Sequence, residues 1–125
     1  MHVECVTNVV PGWNDGDENL QRTAAWIAAS VGELTPWHLT RFFPAGRMQT
    51  TPATPLATLQ RARLLGQAEG LRCVYIGNVP NAGADTSCPR CGMVLIRREG
   101  YRVQVAGAIS DGCCGRCGAP VNIVV

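Results

Sequence analysis

Two matching stretches decide how this chain folds, CPRCG at residues 88–92 and CGRCG at residues 114–118. In each stretch two residues separate the cysteines, so one tight turn can aim both thiolates at the same ion. A glycine follows each second cysteine, and glycine readily takes the positive φ that such a turn needs. The spacing therefore predicts one tetrahedral metal site, with the ligands Cys88, Cys91, Cys114 and Cys117.

Zinc is the metal that this pattern favours, because closed sites of four thiolates are typical of structural zinc. Iron in a rubredoxin-like site uses the same ligands and is the alternative. Another interpretation leaves the cysteines free or disulfide-bonded, although seven cysteines fit a closed set of disulfides poorly. Cys113 is interpreted as a spare thiol, since only Cys114 gives the matching spacing. Cys5 and Cys73 are predicted to be small core residues.

The sequence around the cysteine pairs predicts a small module of its own. Residues 93–96 and 101–105 are predicted to form hairpin strands around Glu99-Gly100. Together with the two cysteine turns, they indicate a zinc-ribbon or rubredoxin-like fold. Residues 80–86 are rich in turn formers, and the composition changes after them. We therefore predict a metal-binding module at residues 83–125, separate from residues 1–82.

The N-terminal part alternates between predicted strands and helices. Strands are predicted at residues 2–10, 37–43 and 72–79, where β-branched and aromatic residues are frequent. Helices are predicted at residues 18–31 and 54–70, where apolar residues recur at helical spacing. The second is predicted to have Thr54 as its N-cap and Pro55 as its first helical residue. A β-α-β-α-β order implies right-handed crossovers and a parallel sheet, so the predicted class is α/β. Three parallel strands leave two bare edges, and we expect a partner or a longer architecture to cover them.

Composition and charge exclude several classes of protein. The chain has 125 residues, a formal net charge of +2, and eleven basic residues that are all arginine. The densest basic group is Arg97, Arg98 and Arg102, whereas nucleic-acid binding usually demands a dense basic face. No signal peptide and no apolar stretch long enough to cross a bilayer is recognised. The sequence therefore predicts a cytoplasmic protein without a membrane partner, and it favours protein over nucleic acid as a partner.

Three stretches resemble the last part of a known enzyme family: VVPGWND at residues 9–15, PWHLTRFFP at residues 36–44 and VYIGNVP at residues 74–80. The family is the radical S-adenosylmethionine (radical SAM) enzyme of the AmmeMemoRadiSam system, which is similar to the glycyl-radical (pyruvate formate-lyase) activating enzymes. Its C-terminal CxxC pairs match the two cysteine pairs of this chain. The resemblance runs over essentially the whole chain, which corresponds to only the C-terminal part of a full family member.

The resemblance implies a partial parallel (β/α) barrel, a [4Fe–4S] cluster and S-adenosylmethionine. The family holds its cluster with a CxxxCxxC loop, and this spacing is absent here. Cys113 and Cys117 have the first interval, but Pro120 stands where the third cysteine would be. Without three thiolates the cluster cannot be held. We therefore assign no catalytic residue and expect this chain alone to be inactive, with cluster and S-adenosylmethionine belonging only to the full-length architecture.

Three polar residues are the candidates for binding a cofactor or substrate in the N-terminal part. Ligands of parallel α/β sheets sit beyond the C-terminal ends of the strands. Arg41 lies towards that end of its predicted strand, Asn78 closes the third strand, and His38 precedes Arg41 on the same strand. A purely structural role, such as a hydrogen bond of His38 or an ion pair of Arg41, is the alternative for each.

Two classes of function follow from these observations. In the first, the chain is the C-terminal part of a radical SAM enzyme and needs the missing N-terminal barrel half or a complementing chain. In the second, it is a free-standing zinc-ribbon module that binds protein, or less readily nucleic acid. A rubredoxin-like electron carrier is a further alternative. Open sheet edges also predict self-association of the isolated chain.

Overall fold

The computed structural model describes residues 1–80, 82–121 and 123. The chain divides into two compact units, Met1–Val79 and Pro80–Val125. The predicted linker at residues 80–86 includes Asn81, which lies outside the described residues. The first unit is a mixed α/β fold, and the second contains short antiparallel strands around a cluster of four cysteines.

The first unit is a parallel sheet whose strands follow one another in chain order, β1-β2-β3. Register is regular across all three strands: Val6 lies opposite His38, and His38 lies opposite Tyr75. The predicted β-α-β-α-β order is thereby confirmed. Its elements are β1 (Cys5–Val9), α1 (Asp17–Ser30), β2 (Trp37–Arg41), a 3₁₀ turn (Gly46–Met48), α2 (Leu56–Ala68) and β3 (Val74–Gly77).

One face of this sheet is buried, and the other is not covered by a helix. Side chains alternate between the two faces of a strand, and the buried face carries Val9, Trp37, Leu39, Val74 and Ile76. Helix α2 packs on β2 and β3, and α1 packs on α2. When strands are adjacent in chain order, right-handed crossovers place both helices on the same side of the sheet. The opposite face carries Val6, Asn8, His38, Thr40, Tyr75 and Gly77, and we call it the open face.

Close approach of helix to sheet depends on Gly66, near the C-terminal end of α2. A Cβ atom there would lie 2.7 Å and 2.9 Å from two ring carbons of Trp37, which is fully buried. The Trp37 indole nitrogen donates a hydrogen bond to Thr7 Oγ1 at 2.9 Å, which holds the ring in place on the sheet. Glycine is therefore required at this position, despite its low helix propensity.

The helix ends differ slightly from those predicted. Helix α1 ends at Ser30, and Gly32, with φ +131°, donates its N–H to the carbonyl of Ile27. Helix α2 begins at Leu56 after Pro55 rather than at Pro55, so Thr54 does not cap it. The Thr54 hydroxyl instead donates to the carbonyl of Val9. None of the helices in the described part of the chain has both the length and the apolar character needed to span a bilayer.

In the second unit, one antiparallel sheet has the order β4-β5-β6, and a two-stranded sheet pairs β7 with β8. The elements are β4 (Thr86–Ser87), β5 (Val94–Glu99), β6 (Arg102–Val105), β7 (Ile109–Ser110) and β8 (Cys113–Cys114). The predicted hairpin is present with a longer first strand. Glu99 pairs with Arg102, so the turn consists of Gly100 and Tyr101, and Gly100 takes φ +58° as a two-residue hairpin turn requires.

Candidate metal centre

The first cysteine turn is held by two backbone hydrogen bonds. The N–H of Cys88 donates to the carbonyl of Met93 at 2.8 Å, and the N–H of Gly92 donates back to the carbonyl of Cys88 at 2.9 Å. Gly92 has φ +74°, the left-handed conformation predicted for the glycine after the second cysteine. These backbone hydrogen bonds therefore close the turn without help from a bound ligand.

The second cysteine turn repeats this pattern. The N–H of Cys114 donates to the carbonyl of Ala119 at 2.8 Å, the N–H of Gly118 donates to Cys114 at 2.8 Å, and Gly118 has φ +71°. Gly115 within the turn donates to the carbonyl of Ala108 at 2.8 Å. A Cβ on Gly115 would lie 2.6 Å from the Cβ of Ala108, so this turn packs too closely for a side chain there.

The two turns bring four sulfur atoms into one cluster. Their ligand atoms all lie within 4.8 Å of one another. Between the turns, the Sγ atoms of Cys88 and Cys117 are 3.5 Å apart, and those of Cys91 and Cys114 are 3.8 Å apart. A disulfide needs an S–S distance of about 2.05 Å. Tetrahedral zinc with Zn–S bonds of about 2.3 Å places its ligands about 3.8 Å apart. The separations therefore match a metal site and not a pair of disulfides.

The electrostatics of the cluster favour one thiolate and resist the accumulation of more. Burial raises the pKa of Cys88, but the backbone N–H groups of Cys91 and Arg90 and the thiols of Cys117 and Cys91 outweigh it and lower this pKa to about 6. The backbone N–H of Ala119 lowers the pKa of Cys117. Burial and the three neighbouring cysteines outweigh that effect and raise the pKa of Cys117 to about 11. A bound cation is what would allow four thiolates to coexist here.

The cluster is built into the core of the second unit. Cys88 and Cys114 are only 3% and 1% exposed, and they pack with Leu95, Ala119 and Val121. Cys91 and Cys117 are partly buried against the same group. A core with so few apolar side chains is too small to stabilise a module by itself, so the site is suited to a structural metal.

The remaining cysteines lie outside this cluster. Cys113 and Cys114 are neighbours on β8, and successive side chains on a strand point to opposite faces. Among the described residues, the group that can hold a metal contains Cys114 and not Cys113. Cys5 and Cys73 are both partly buried in the first unit. Burial raises the pKa of Cys73, with a weaker opposing effect from Tyr75.

His38 lies on the open face of the first unit, in the middle of a row of contacting side chains. Its ring is stacked on Tyr75, with the centroids 5.2 Å apart. Its Nε2 atom lies 3.1 Å from Glu4, and the other carboxylate oxygen of Glu4 lies 3.0 Å from Nε2 of His2. The hydrogen bond from His2 lowers the pKa of Glu4. This row is near the N-terminal end of the strands, one layer below Asn8 and Thr40.

Arg41 lies on the other face of the sheet from His38. It alternates with Trp37 and Leu39 along β2, and its Nε donates to the carbonyl of Thr54 at 2.8 Å. Its guanidinium carbon lies 5.4 Å from the centre of the Phe43 ring. In this position Arg41 ties the loop before α2 to the end of β2. The structure therefore does not bring His38 and Arg41 together.

Asn78 directly follows β3, at the C-terminal edge where ligands of parallel sheets bind. It takes φ +60°, a left-handed conformation that is uncommon for a residue other than glycine and clusters at functional sites and turns. Its assignment to a binding site remains a prediction, as do those of His38 and Arg41.

Thr54 and Glu4 have roles that the sequence did not reveal. Thr54 is fully buried, its hydroxyl donates to the carbonyl of Val9, and it accepts from the N–H of Phe42 at 2.8 Å. It thus joins the ends of β1 and β2. The Thr54-Pro55 pair is the usual signal for a helix start, which obscured this role. Glu4 precedes β1 and lies 34 positions from His38 in sequence, so their contact forms only when β1 pairs with β2.

A comparison with curated proteins finds a relative whose name does not give a function. This chain is 37% identical over 125 residues to an uncharacterized protein of Methanocaldococcus jannaschii, and the match covers 98% of this chain and 38% of that protein. The chain therefore spans less than half the length of this relative. No protein-family model matches the chain, and no solved structure matches it.

Proposed function

We propose that this chain is the C-terminal part of a radical SAM enzyme of the AmmeMemoRadiSam type, and that zinc fills its tetracysteine site. The observation that carries the first part is the single-sided first unit. A parallel sheet with helices on one side only has the arrangement of a barrel wall, in which the opposite face lines the interior. The polar residues of the open face, among them Asn8, His38 and Thr40, suit such an interior.

The three stretches that carry the resemblance support the same proposal by their positions. Residues 9–15 begin at the last residue of β1, residues 36–44 contain β2 and the segment after it, and residues 74–80 contain β3 and Asn78. Each stretch thus includes the C-terminal end of a strand, where α/β barrels place their functional groups. The greater length of the Methanocaldococcus jannaschii relative is compatible with a larger architecture.

Zinc is proposed because the site is closed. Four thiolates fill a tetrahedral coordination sphere, two of the ligands are buried, and the remaining side chains of this small core are apolar. Zinc here would supply folding energy rather than catalysis, because no coordination position is left for a substrate.

The described cysteines do not fit a [4Fe–4S] cluster of the family type. Outside the tetracysteine site the described part of the chain has Cys5 on β1, Cys73 before β3 and Cys113 on β8, and no two of these are close in sequence. The described part of the chain therefore does not supply the cluster on which S-adenosylmethionine cleavage depends. Its own contribution would be to complete the barrel wall and to line its interior.

Metal content is the first test. Elemental analysis of the purified chain should give one zinc per chain, with no cluster absorbance after anaerobic iron–sulfur reconstitution. A single bound iron would instead favour a rubredoxin-like electron carrier. Four iron atoms with sulfide would contradict the ligand assignment.

The enzyme role is tested by complementation. An upstream reading frame that encodes CxxxCxxC should yield a protein that copurifies with this chain, and the reconstituted complex should release 5′-deoxyadenosine from S-adenosylmethionine under reduction. Val6→Arg, on the open face, should abolish copurification. Leu64→Arg is the matched control, because Leu64 on α2 has the same 66% exposure as Val6. Equal effects of both variants, or no association, would count against the proposal.

A free-standing protein-binding module is the second candidate, and the exposed apolar residues of β6 favour it. This second candidate predicts that the cell makes the chain without a partner protein that contains CxxxCxxC.

A further inference from the structure

Strand β6 is an edge strand of the three-stranded sheet, and within the described part of the chain no strand pairs with its other side. All four of its residues are exposed, and Val103 and Val105 expose 60% and 67% of their surface. Native proteins block such edges with proline, lysine or bulges. Strand β6 has no proline or lysine, its pairing with β5 is regular, and its one charged residue, Arg102, is at the hairpin end. The edge is therefore open to pairing with another strand.

The hydrogen bonds of β5 show which backbone groups of β6 face this edge. The N–H of Arg98 donates to the carboxylate of Asp85 at 2.8 Å, on the side of β5 away from β6. Arg98 lies opposite Val103, so this pair is not hydrogen-bonded. In an antiparallel ladder, residues that do not bond to one neighbour direct both backbone groups to the other side. Val103 and, two residues later, Val105 therefore direct their N–H and C=O groups to the free edge.

The other end of the ladder gives the same result. The N–H of Ala106 donates to the carbonyl of Leu95 at 2.9 Å, so Leu95 and Ala106 are a hydrogen-bonded pair. The preceding pair, Ile96 and Val105, is then not hydrogen-bonded, because the two kinds of pair alternate. The outward groups and the exposed apolar side chains of β6 thus belong to the same two residues.

We propose that β6 pairs antiparallel with β6 of a second copy of this chain, about a two-fold axis at Gln104. In this register Val103 lies opposite Val105 of the second copy, and each such pair exchanges two main-chain hydrogen bonds. The outward-facing backbone N–H and C=O groups of Val103 and Val105 in each copy then have hydrogen-bond partners. The valines of the two copies also meet on one face, as favourable β-branched cross-strand pairs.

Charge selects this register over the nearest alternative. With the axis at Gln104, Arg102 lies opposite Ala106 of the second copy, and the two Arg102 residues are offset by four positions, about 13 Å along the strand. With the axis at Val103 they would be offset by only two positions, about 7 Å, on the same face. The first separation exceeds the Debye length at physiological salt, and the second does not.

Four residues per copy make a small interface, so the association should be weak and dependent on concentration. It involves only the second unit and does not depend on the proposed enzyme role. A homodimer is favoured over capture of an unrelated strand because the edge is self-complementary in register and in apolar face, and because this register keeps the two Arg102 residues apart.

Sedimentation velocity of the metal-loaded full chain, over a range of concentrations, tests the proposal. Val103→Pro removes an outward N–H without removing a bond between β5 and β6, so two intermolecular bonds per dimer are lost. At about 0.5–1.5 kcal/mol each, the dimer should weaken by about 5- to 150-fold. Val103→Thr keeps the N–H and the β-branched shape, and should dimerise as the unmodified chain does. Metal content and circular dichroism show that each variant is folded.

A charge exchange tests the register independently. Gln104→Arg and Gln104→Glu each place like charges directly opposite each other at the two-fold axis, and each should weaken the dimer by about 1.4- to 5-fold. An equimolar mixture should form a heterodimer more stable than either homodimer. A chain that stays monomeric at all concentrations would overturn the proposal. So would a dimer that Val103→Pro leaves unchanged, or a mixture that behaves as the sum of its parts.

Discussion

Replacing Cys88 with serine should weaken metal binding far more than replacing Cys113. Structural zinc binds small modules with about 10–16 kcal/mol, so one of four equivalent thiolates is worth about 2.5–4 kcal/mol, or about 70- to 900-fold in affinity. Cys88 should be near the upper end. Burial raises its pKa, but hydrogen bonds from the N–H groups of Cys91 and Arg90 and from the neighbouring thiols outweigh burial, favour the thiolate and lower the pKa to about 6. Cys113→Ser should change the affinity by less than threefold, since Cys113 is outside the described ligand group.

Competition with a chromophoric zinc chelator measures both affinities under the same conditions. The thermal stability of the second unit should follow metal affinity, so Cys88→Ser should also unfold this unit at a lower temperature. Similar losses of affinity in Cys88→Ser and Cys113→Ser would refute the ligand assignment. Retention of full affinity in Cys88→Ser would refute the view that four thiolates share the ion.

Four further outcomes are expected. Thr54→Val should destabilise the chain by about 2–5 kcal/mol in urea unfolding, because it leaves two buried backbone groups without partners, whereas Thr54→Ser should keep most of the stability. Gly66→Ala should cost up to about 2 kcal/mol, because about 1–3 kcal/mol of overpacking against Trp37 is offset by about 1 kcal/mol of helix propensity, and a smaller side chain at Trp37 should remove the penalty. Removing the metal with a chelator should move the dispersed amide signals of residues 88–121 to random-coil positions while leaving tryptophan emission unchanged, because Trp13, Trp26 and Trp37 all lie in the first unit. His2→Ala should raise the pKa of Glu4 in an NMR titration, and the stability that Glu4 contributes should be present above its ordinary pKa and lost as the pH falls through the lowered value.

The tetracysteine site was predictable from the sequence because its determinants are local. Two-residue spacing and the following glycine fix each turn, and both predicted positive φ angles, at Gly92 and Gly118, are confirmed. Apolar periodicity likewise predicted the alternating strands and helices, because it reports on burial directly. The spacing of the cysteines could not distinguish zinc from iron, because both metals use the same ligands.

The role of Thr54 could not be predicted, because it depends on contacts between distant segments. Its hydroxyl bonds to Val9, 45 residues earlier in the chain. The local sequence favoured a helix cap at this position, but the hydroxyl bonds to the distant Val9 carbonyl instead. The separation of His38 from Arg41 was missed for a different reason. The strand was recognised, but its alternation places residues three apart on opposite faces.

The hydrogen bonds within each cysteine turn have a consequence for the order in which the second unit assembles. Each turn is closed by bonds that span five residues or fewer, so either can form early and quickly. The short sulfur contacts run between the turns, from Cys88 to Cys117 across 29 positions and from Cys91 to Cys114 across 23. Joining the turns therefore requires closing a long loop, which has an entropic cost. An ion captured first by one preformed turn would lower that barrier, so the rate of folding should rise with the concentration of free metal.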